Sequence, residues 1–525
     1  MSAGPFYRLP ERRTGTVLLG LTVPQLVLTA VGVATAVLVS AGTRSAAGVL
    51  AGLGVAAGCG LAAFVPVGGG PAHEAAATLA GFLVRRAAGR HRWAAPLPLL
   101  TGTPAGHAAA GRAGRLLPAC LAGTELLAVP RPGWAGADRT LAPIGLVRDR
   151  RTGTLTAVVG VRGSGFSLLD PADQRRRLAG WAQVLSQFAR EASPVARLGW
   201  SLWSAPAPPS EHLDWLAEGS AATRSGVVWE GYRRLVDGAG VVRHELRVWL
   251  TVDPRRAGGG GQALSVAAVA AAGVLIDRCT AAGLVCTAPL SPVQIAEAMR
   301  VQADPSAMPS PAGARPGLAA RAGLSASLSG SGHAASSGRL STVDMVHAAP
   351  LAVESHWDAV RVDGAWHRVF WVAGWPGLEL AAGWWDRLLL IAAGPRTLAV
   401  VMEPVPARLS RRRINAESVS LQGQVQLRER HAFRVPVGLQ QAQAEVDQRE
   451  AELQAGFPEY GYLALVAVTG ADRQELDAHS HALADAAAQC GIVELRPLHG
   501  RHDTAWACTL PLGRAPGRRL LDGRP

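Results

Sequence analysis

TGTVLLGLTVPQLVLTAVGVATAVLVSAGT (Thr14–Thr43), then Arg44, then SAAGVLAGLGVAAGCGLAAFVPVGGGPAH (Ser45–His73): this stretch decides the fold of the chain. Neither half holds a charged residue, and each carries about 20 or more mostly apolar residues, enough to cross a ~30 Å hydrocarbon core as a helix. In lipid a backbone must satisfy its own hydrogen bonds, so two helices joined at Arg44 are the economical solution. Gly48, Gly52, Ala56 and Gly60 recur at every fourth position, a spacing that lets two helix backbones approach closely. With Leu21, Gln25 and Leu26 at the head of the first span, Gly48, Gly52 and Gly60 are the expected membrane-anchoring residues. A cleaved signal peptide would have a shorter apolar core and no second span directly after it. The expectation is a two-pass transmembrane hairpin.

Orientation follows from the arginines. Arg8, Arg12 and Arg13 precede the first span, and Arg85, Arg86, Arg90 and Arg92 follow the second. Only Arg44 lies between, so the positive-inside tendency places both termini in the cytoplasm and the chain in the inner (plasma) membrane. Leu79, Phe82 and Leu83 share a helical face in residues 75–93. That suits a helix leaving along the interface, with Arg85, Arg86, Arg90, Arg92 and Trp93 as membrane-surface residues. A solvated basic helix end is the plainer alternative.

The 525 residues contain no lysine, so all 52 basic residues are arginine, and the net charge is +13. A lysine-bearing phosphate loop and a Schiff-base lysine are both excluded, and with them a Walker-type motor within this chain. Such a charge suits an anionic membrane, nucleic acid or an acidic protein. Six cysteines lie scattered without a CxxC pair, which reads as reduced thiols in a cytosolic compartment.

Residues 1–93 comprise the hairpin and the basic helix, and 94–139, rich in Pro, Gly and Ala, read as a linker. A first cytosolic α/β domain is expected over 140–303. Its strands are Ile144–Val147, Leu155–Val161, Val195–Trp203, Val242–Val252 and Leu284–Ala288. Its helices open at Asp170-Pro171, Gln262 and Ser291-Pro292. Residues 304–345, dominated by Ala, Gly, Ser and Pro, read as a second linker. A second α/β domain is expected over 346–513, with a hairpin turning at Asp363-Gly364. There Leu378–Ile391 reads as a helix, Thr397–Met402 and Tyr462–Val468 as strands, and Asp472–Ala488 as a helix. Ile492–Leu495 and Thr504–Leu510 read as closing strands. Ser410–Gly456, long and charged and interrupted at Pro436, reads as two projecting helices. Residues 514–525 read as a disordered tail. The fold class is α/β (α+β): a transmembrane hairpin followed by two cytosolic sandwich domains, for which a ferredoxin-like core is one plan.

No catalytic constellation emerges, and no catalytic residue, cofactor or metal site is expected. The glycines of GVRGSGF (Gly160, Gly163, Gly165) lack a dinucleotide-binding spacing. His499, His502 and Asp503, or His479 and His481, would have to complete a tetrahedral set to bind zinc, and no further ligand points there. Glu354 and Asp358 read as solvated charges before they read as an acid/base pair. The run Arg411-Arg412-Arg413 lacks interleaved aromatics, so direct nucleic-acid binding is not expected.

Two resemblances go beyond class. ERRTGTVLLGLTVPQLVL (Glu11–Leu28), with Gly20-Leu21-Thr22 and Gln25-Leu26 at the head of a two-span hairpin, resembles PrgI-type membrane proteins of conjugative type IV secretion systems. WHRVFWVAGWPGLELAAGWWDRLL (Trp366–Leu389), then TLAVVMEPVPA (Thr397–Ala407) and a long helix, is similar to the non-motor amino-terminal part of TraC-type conjugation ATPases, in the layout of an actinobacterial membrane-protein family. IGLVRDRRTGTLTAVVGV (Ile144–Val161) also resembles the opening of the cytosolic domain of EccE-type type VII secretion subunits, from which this chain departs by its second α/β domain. The resemblances imply a non-enzymatic scaffold of a type IV secretion or conjugation-like machine. Its partners would be the phospholipid bilayer, a separate ATPase and other membrane subunits, in an oligomeric complex. An EccE-type structural role and a membrane-tethered transferase are the alternatives.

Overall fold

In the computed structural model the apolar stretch forms two helices, α1 (Val23–Thr43) and α2 (Ala46–Phe64). Residues 6–7, 23–67, 70–95, 117–130, 142–163, 165–207, 213, 227–238, 242–307, 341–343, 345, 348–377, 380–381, 383–391, 394–431 and 433–515 are described. The chain reverses at Arg44, whose φ of 43° lies in the left-handed region. Ser45 then caps α2 by accepting a hydrogen bond from the Gly48 N–H at 3.1 Å. Close approach depends on glycine on both helices: a Cβ at Gly52 would stand 2.8 Å from the Ala36 carbonyl oxygen, and one at Gly32 2.7 Å from Cβ of Cys59. Both helices are long and apolar enough to span a membrane. Their outward residues, Val37, Leu38, Leu50 and Leu53 among them, are exposed.

After α3 (Ala72–Ala87) the chain enters a 14-stranded antiparallel sheet. Strand β1 (Arg92–Ala94) forms one edge. The first half follows with β2 (Thr124–Val129), β3 (Ile144–Asp149), β4 (Thr154–Arg162), α4 (Pro171–Phe188), β5 (Val195–Pro206), α5 (Val227–Gly238), β6 (Val242–Val252), α6 (Gln262–Ala281), β7 (Val285–Pro289) and α7 (Pro292–Ala303). Strand β8 (Ser341–Val343) precedes the second half. That half comprises β9 (Ala352–Ser355), β10 (Val360–Val362), β11 (Ala365–Gly374), α8 (Asp386–Leu389), β12 (Arg396–Pro404), α9 (Ala407–Arg430), α10 (Val437–Gln454), β13 (Tyr460–Gly470), α11 (Arg473–Gln489), β14 (Glu494–Pro497) and α12 (His502–Thr509).

The halves repeat one order of strands. In the first, β5, β6, β4 and β7 lie side by side; in the second, β12, β13, β11 and β14 do. Each is a split βαβ arrangement with a helical insertion between its second and third strands. The outer edge of the central strand is shared in the same way in both. In the first half β3 takes its start (Leu146 opposite Ala157) and β7 its end (Cys286 opposite Val161). In the second, β10 and β14 do so, with Val360 opposite His367 and Pro497 opposite Phe370.

Strands β5 and β12 join the halves, pairing from Leu198 opposite Met402 to Ser204 opposite Arg396. The two stretches read as domains therefore share one sheet, and each covers an edge the other would expose to aggregation. Side chains alternate across it with period two. Leu155, Val248, Leu398 and Val466 lie in one core with Leu264 and Leu275 of α6 and Leu476 of α11. Val158, Trp249, Val401 and Leu465 lie in the other with Ile295 of α7 and Trp506 of α12. Helix α6 is itself long and apolar enough to cross a membrane, yet Leu264, Ala268, Ala272, Leu275 and Cys279 are buried on the sheet. Polar contacts cross the join as well: Tyr460 Oη donates to the Leu185 carbonyl (2.6 Å), and Arg197 Nε to Glu403 Oε1 (2.8 Å).

Local signals explain many boundaries. Asp170 accepts from the Ala172 and Asp173 N–H groups ahead of Pro171, Ser291 and Gln294 form a reciprocal capping box, and Asp472 accepts from Glu475 N–H. Asp363, at φ 51°, turns the β10–β11 hairpin.

Other readings are corrected. Among its described residues, Leu378–Ile391 holds the one-turn α8 and a short extended pair, Leu380–Ala381 opposite Tyr7 and Phe6, in place of a long helix. Gly383 sits at φ 84° and turns Trp384 and Trp385 against Trp375, with ring centroids 6.2 and 5.4 Å away. The expected strand Thr504–Leu510 is helix α12, because a short apolar run buried on all sides carries no period to tell the two apart. The stretch read as a linker before residue 140 contains β2, every residue of which is at least partly buried. Of the stretches read as second linker (304–345) and disordered tail (514–525), 341–343 form β8 against β2 and Arg514 is buried, while 308–340 and 516–525 lie outside the described residues.

Candidate functional site

Two places in the molecule collect the side chains singled out by sequence: the seam between hairpin and sheet, and the helical pair α9–α10. At the seam, the helix expected over 75–93 ends at Ala87 and its last residues become β1, with Arg92 opposite Glu354 and Trp93 opposite Val353. Arg92 donates from Nε to Glu354 Oε1 at 2.8 Å, and Trp93 packs half-buried against the second core. Arg85 reaches the Gly500 carbonyl and lies 3.5 Å from the Asp503 carboxylate, while Phe82 meets Trp357 edge-on at 5.6 Å. Arg86 and Arg90 are exposed. Of the anchoring residues, Gln25 ties the helices together by donating to the Ala63 carbonyl at 3.1 Å. Leu26 is half-buried, and Gly48 and Gly52 are buried. A Cβ at Gly60 would meet nothing within 4 Å, and Leu21 lies outside the described residues.

Beneath α3 lies a layer of histidines. His499 stacks on Trp357 (5.7 Å, 6°), and His502 stands 6.0 Å from His499 with its ring at 89°. His502 is buried; the Val369 N–H donates to its Nδ1 at 3.1 Å, which puts the proton of the neutral ring on Nε2. Burial first, then the neighbouring His499 and Arg368, depress its pKa to about 3. His479 donates from Nδ1 to the Thr469 carbonyl at 2.7 Å, and His481 points away, exposed. Among the described residues no group of three or more His, Cys, Asp or Glu is placed to hold a metal ion.

The carboxylates are held in ion pairs. Burial works against ionisation of Asp358, but Arg473 (Nη1 to Oδ2, 2.6 Å) and Arg368 outweigh it and hold the group below its ordinary value. Burial likewise opposes ionisation of Glu354, and Arg92 and His356 overcome it. Arg473 also lies over Trp366, 4.4 Å from the ring centre. Both acids are charged structural partners at neutral pH, unsuited to giving up a proton. The glycines of GVRGSGF are dispersed: Gly160 donates from within β4 to Thr287 Oγ1 at 3.0 Å, while Gly165, at φ 61°, precedes a single 3₁₀ turn.

Helices α9 and α10 start behind Pro406 and Pro436 and lean together on a small core of Ile414, Leu421, Ala442 and Val446. Arg449 bridges them to the sheet, at 2.9 Å from Glu417 and 3.3 Å from Glu459. Arg411, Arg412 and Arg413 lie exposed at the base of α9.

No family model matches the chain. No curated protein matches it either.

Sequence reasoning missed the long-range polar contacts that make the halves one body. His367 is buried; it donates from Nε2 to the Ala303 carbonyl (2.8 Å) and accepts at Nδ1 from Thr469 Oγ1 (3.0 Å), and burial depresses its pKa to about 4. Asp304 accepts from the Gly364 N–H at 3.1 Å, seating the end of the first half in the turn of the second. Arg514, beyond the last helix, donates to the carbonyls of Cys120 and, at 2.7 Å, Ala122. A single arginine in an arginine-rich chain carries no local signal for such a contact.

Proposed function

We propose that this chain is a non-enzymatic inner-membrane scaffold of a type IV secretion or conjugation-like translocation machine, which docks a separate ATPase. The carrying observation is mechanical: an apolar hairpin passes through α3 and β1 into the edge of one continuous sheet, and that sheet extends a paired-helix arm. Force or position sensed at the membrane would reach the arm through α3, β1 and the hydrogen-bonded strands that follow it in the sheet. The depressed acids and neutral buried histidines are engaged in packing, and the chain has no lysine with which to build a Walker-type site. Both ends of the hairpin face the cytoplasm in this reading, and the ferredoxin-like halves form the cytosolic body. The exposed flank of α9 around Arg411–Arg413 offers a surface for an acidic face of the partner.

Affinity purification of the tagged full chain from detergent-solubilised membranes, with identification of its companions, tests this. Recovery of a conjugation-type ATPase is expected. ATP hydrolysis by the purified chain alone would overturn the scaffold reading, and recovery of type VII components would redirect it to an EccE-type role.

A further inference from the structure

We propose that the tip of the α9–α10 arm docks on an anionic phospholipid surface. The 24 residues of α9 extend about 36 Å at 1.5 Å per residue, and the small core between the helices reaches Leu421 on α9 and Leu439 on α10. Beyond it the arm turns apolar and basic together. Leu427, Phe433 and Val437 are 59%, 66% and 57% exposed. Arg428, Arg430 and Arg434 are exposed among them, and Glu429 is the one acid in the sequence from Leu427 to Val437. The turn is held in shape: the Phe433 N–H donates to the Arg428 carbonyl at 2.8 Å, and the His431 ring lies 6.1 Å from that of Phe433.

Apolar side chains presented to water at the end of a well-formed helix pair call for a cover, and the charge says which. Arginines set beside a phenylalanine match the phosphates and upper acyl region of an anionic bilayer, where the guanidinium stays hydrated while the ring sinks to the interface. A protein partner is the poorer fit, because a stable interface buries about 1,200–2,000 Å² and one helical turn offers far less. A bilayer sets no such minimum for a tip whose own chain carries membrane-spanning helices, since tethering supplies a high local concentration of lipid. The proposal is independent of the secretion reading: a scaffold of any machine, or none, would show it.

The test is hydrogen–deuterium exchange on the full chain, reconstituted in phosphatidylcholine vesicles and in an equal mixture of phosphatidylcholine and phosphatidylglycerol. The amides of Leu427–Val437 are expected to exchange severalfold more slowly in the anionic vesicles. The protection should vanish at high salt and in the triple variant R428Q/R430Q/R434Q, and weaken in Phe433→Ser, with exchange in the sheet unchanged. Equal exchange in both lipids overturns the proposal. So does protection that arises only when soluble cell extract is added, which would assign the tip to a protein.

Discussion

Compared strand for strand, the two halves of the sheet are the same machine part used in two ways. Each lays down second, third, first and fourth strands in that spatial order, and each interrupts the link between its second and third. The first fills that link with α5 among its described residues; the second grows the α9–α10 arm. Their last long helices diverge too. Outward positions of α6 are Val266, Ala270, Gly273 and Val274 until Asp277 and Arg278 in its last turns, whereas the matching helix α11 mixes Gln474, Asp477, His481 and Asp485 with alanines along its whole length. Buried, neutral histidines gather in the second half. A shared framework thus fixes the strands and leaves insertions and outer faces free to specialise.

The largest blow to that comparison would fall on the seam. Proline at Val400, opposite Trp200 in the joining strands, removes a ladder hydrogen bond from the middle of the sheet, a place where proline is essentially not accommodated. Val400→Pro is expected to abolish protease resistance in both halves at once. Loss confined to one half would show that they fold separately.

Next come the helices that close each half. Trp506→Ala in α12 and Ile295→Ala in α7 empty equivalent places in the second core, with losses of about 3–5 and 2–5 kcal/mol. A single shifted unfolding transition for both variants, read by differential scanning calorimetry in detergent, is the expected outcome.

Acid separates the halves. In the folded chain His502 and His367 bind protons only near pH 3 and 4, whereas unfolded histidine does so near 6.5. The unfolded state therefore holds more protons throughout that interval. The stability is complete above about pH 6.5 and drains away as pH falls towards the folded values, by several kcal/mol in all. The apparent melting temperature should be flat from pH 8 to 7 and drop below 6.5, with a shallower drop in His367→Gln. In the first half, burial lowers only His244 among its described histidines, and it is less deeply enclosed.

Smaller effects sharpen the picture. Arg197→Ala removes the contacts to Glu403 and to the Gly513 carbonyl and should cost about 1–2 kcal/mol in the same calorimetry. Glutamine at Arg411, Arg412 and Arg413 together should change stability by less than about 0.5 kcal/mol, while lowering recovery of a docked partner in the purification described above.

The hairpin, the helix caps and the long alternating strands were legible because each is written locally: an uncharged run, Ser291 with Gln294, Val242 to Val252. The union of the halves was not. Nothing in LGWSLW (Leu198–Trp203) names TLAVVM (Thr397–Met402) as its neighbour, since any apolar strand offers the same backbone groups. Alternation failed where burial is two-sided, as in α12, and composition misled where β2 hides in an Ala/Pro/Gly-rich stretch. Arg85, Arg92 and Trp93 were found by type but given to the lipid surface, and the structure gives each a place against the sheet as well.

One feature of that union bears on how the protein is made. Arg514 closes on Cys120 and Ala122 across 394 and 392 residues of chain. At synthesis rates of about 5–20 residues per second, the earlier partner waits some 20 to 80 s for its latch. The two long apolar helices emerge first, while the body is still unfinished. For that interval the amino-terminal half stands open on the ribosome, its final strut not yet translated, and a nascent-chain chaperone has its longest opportunity there.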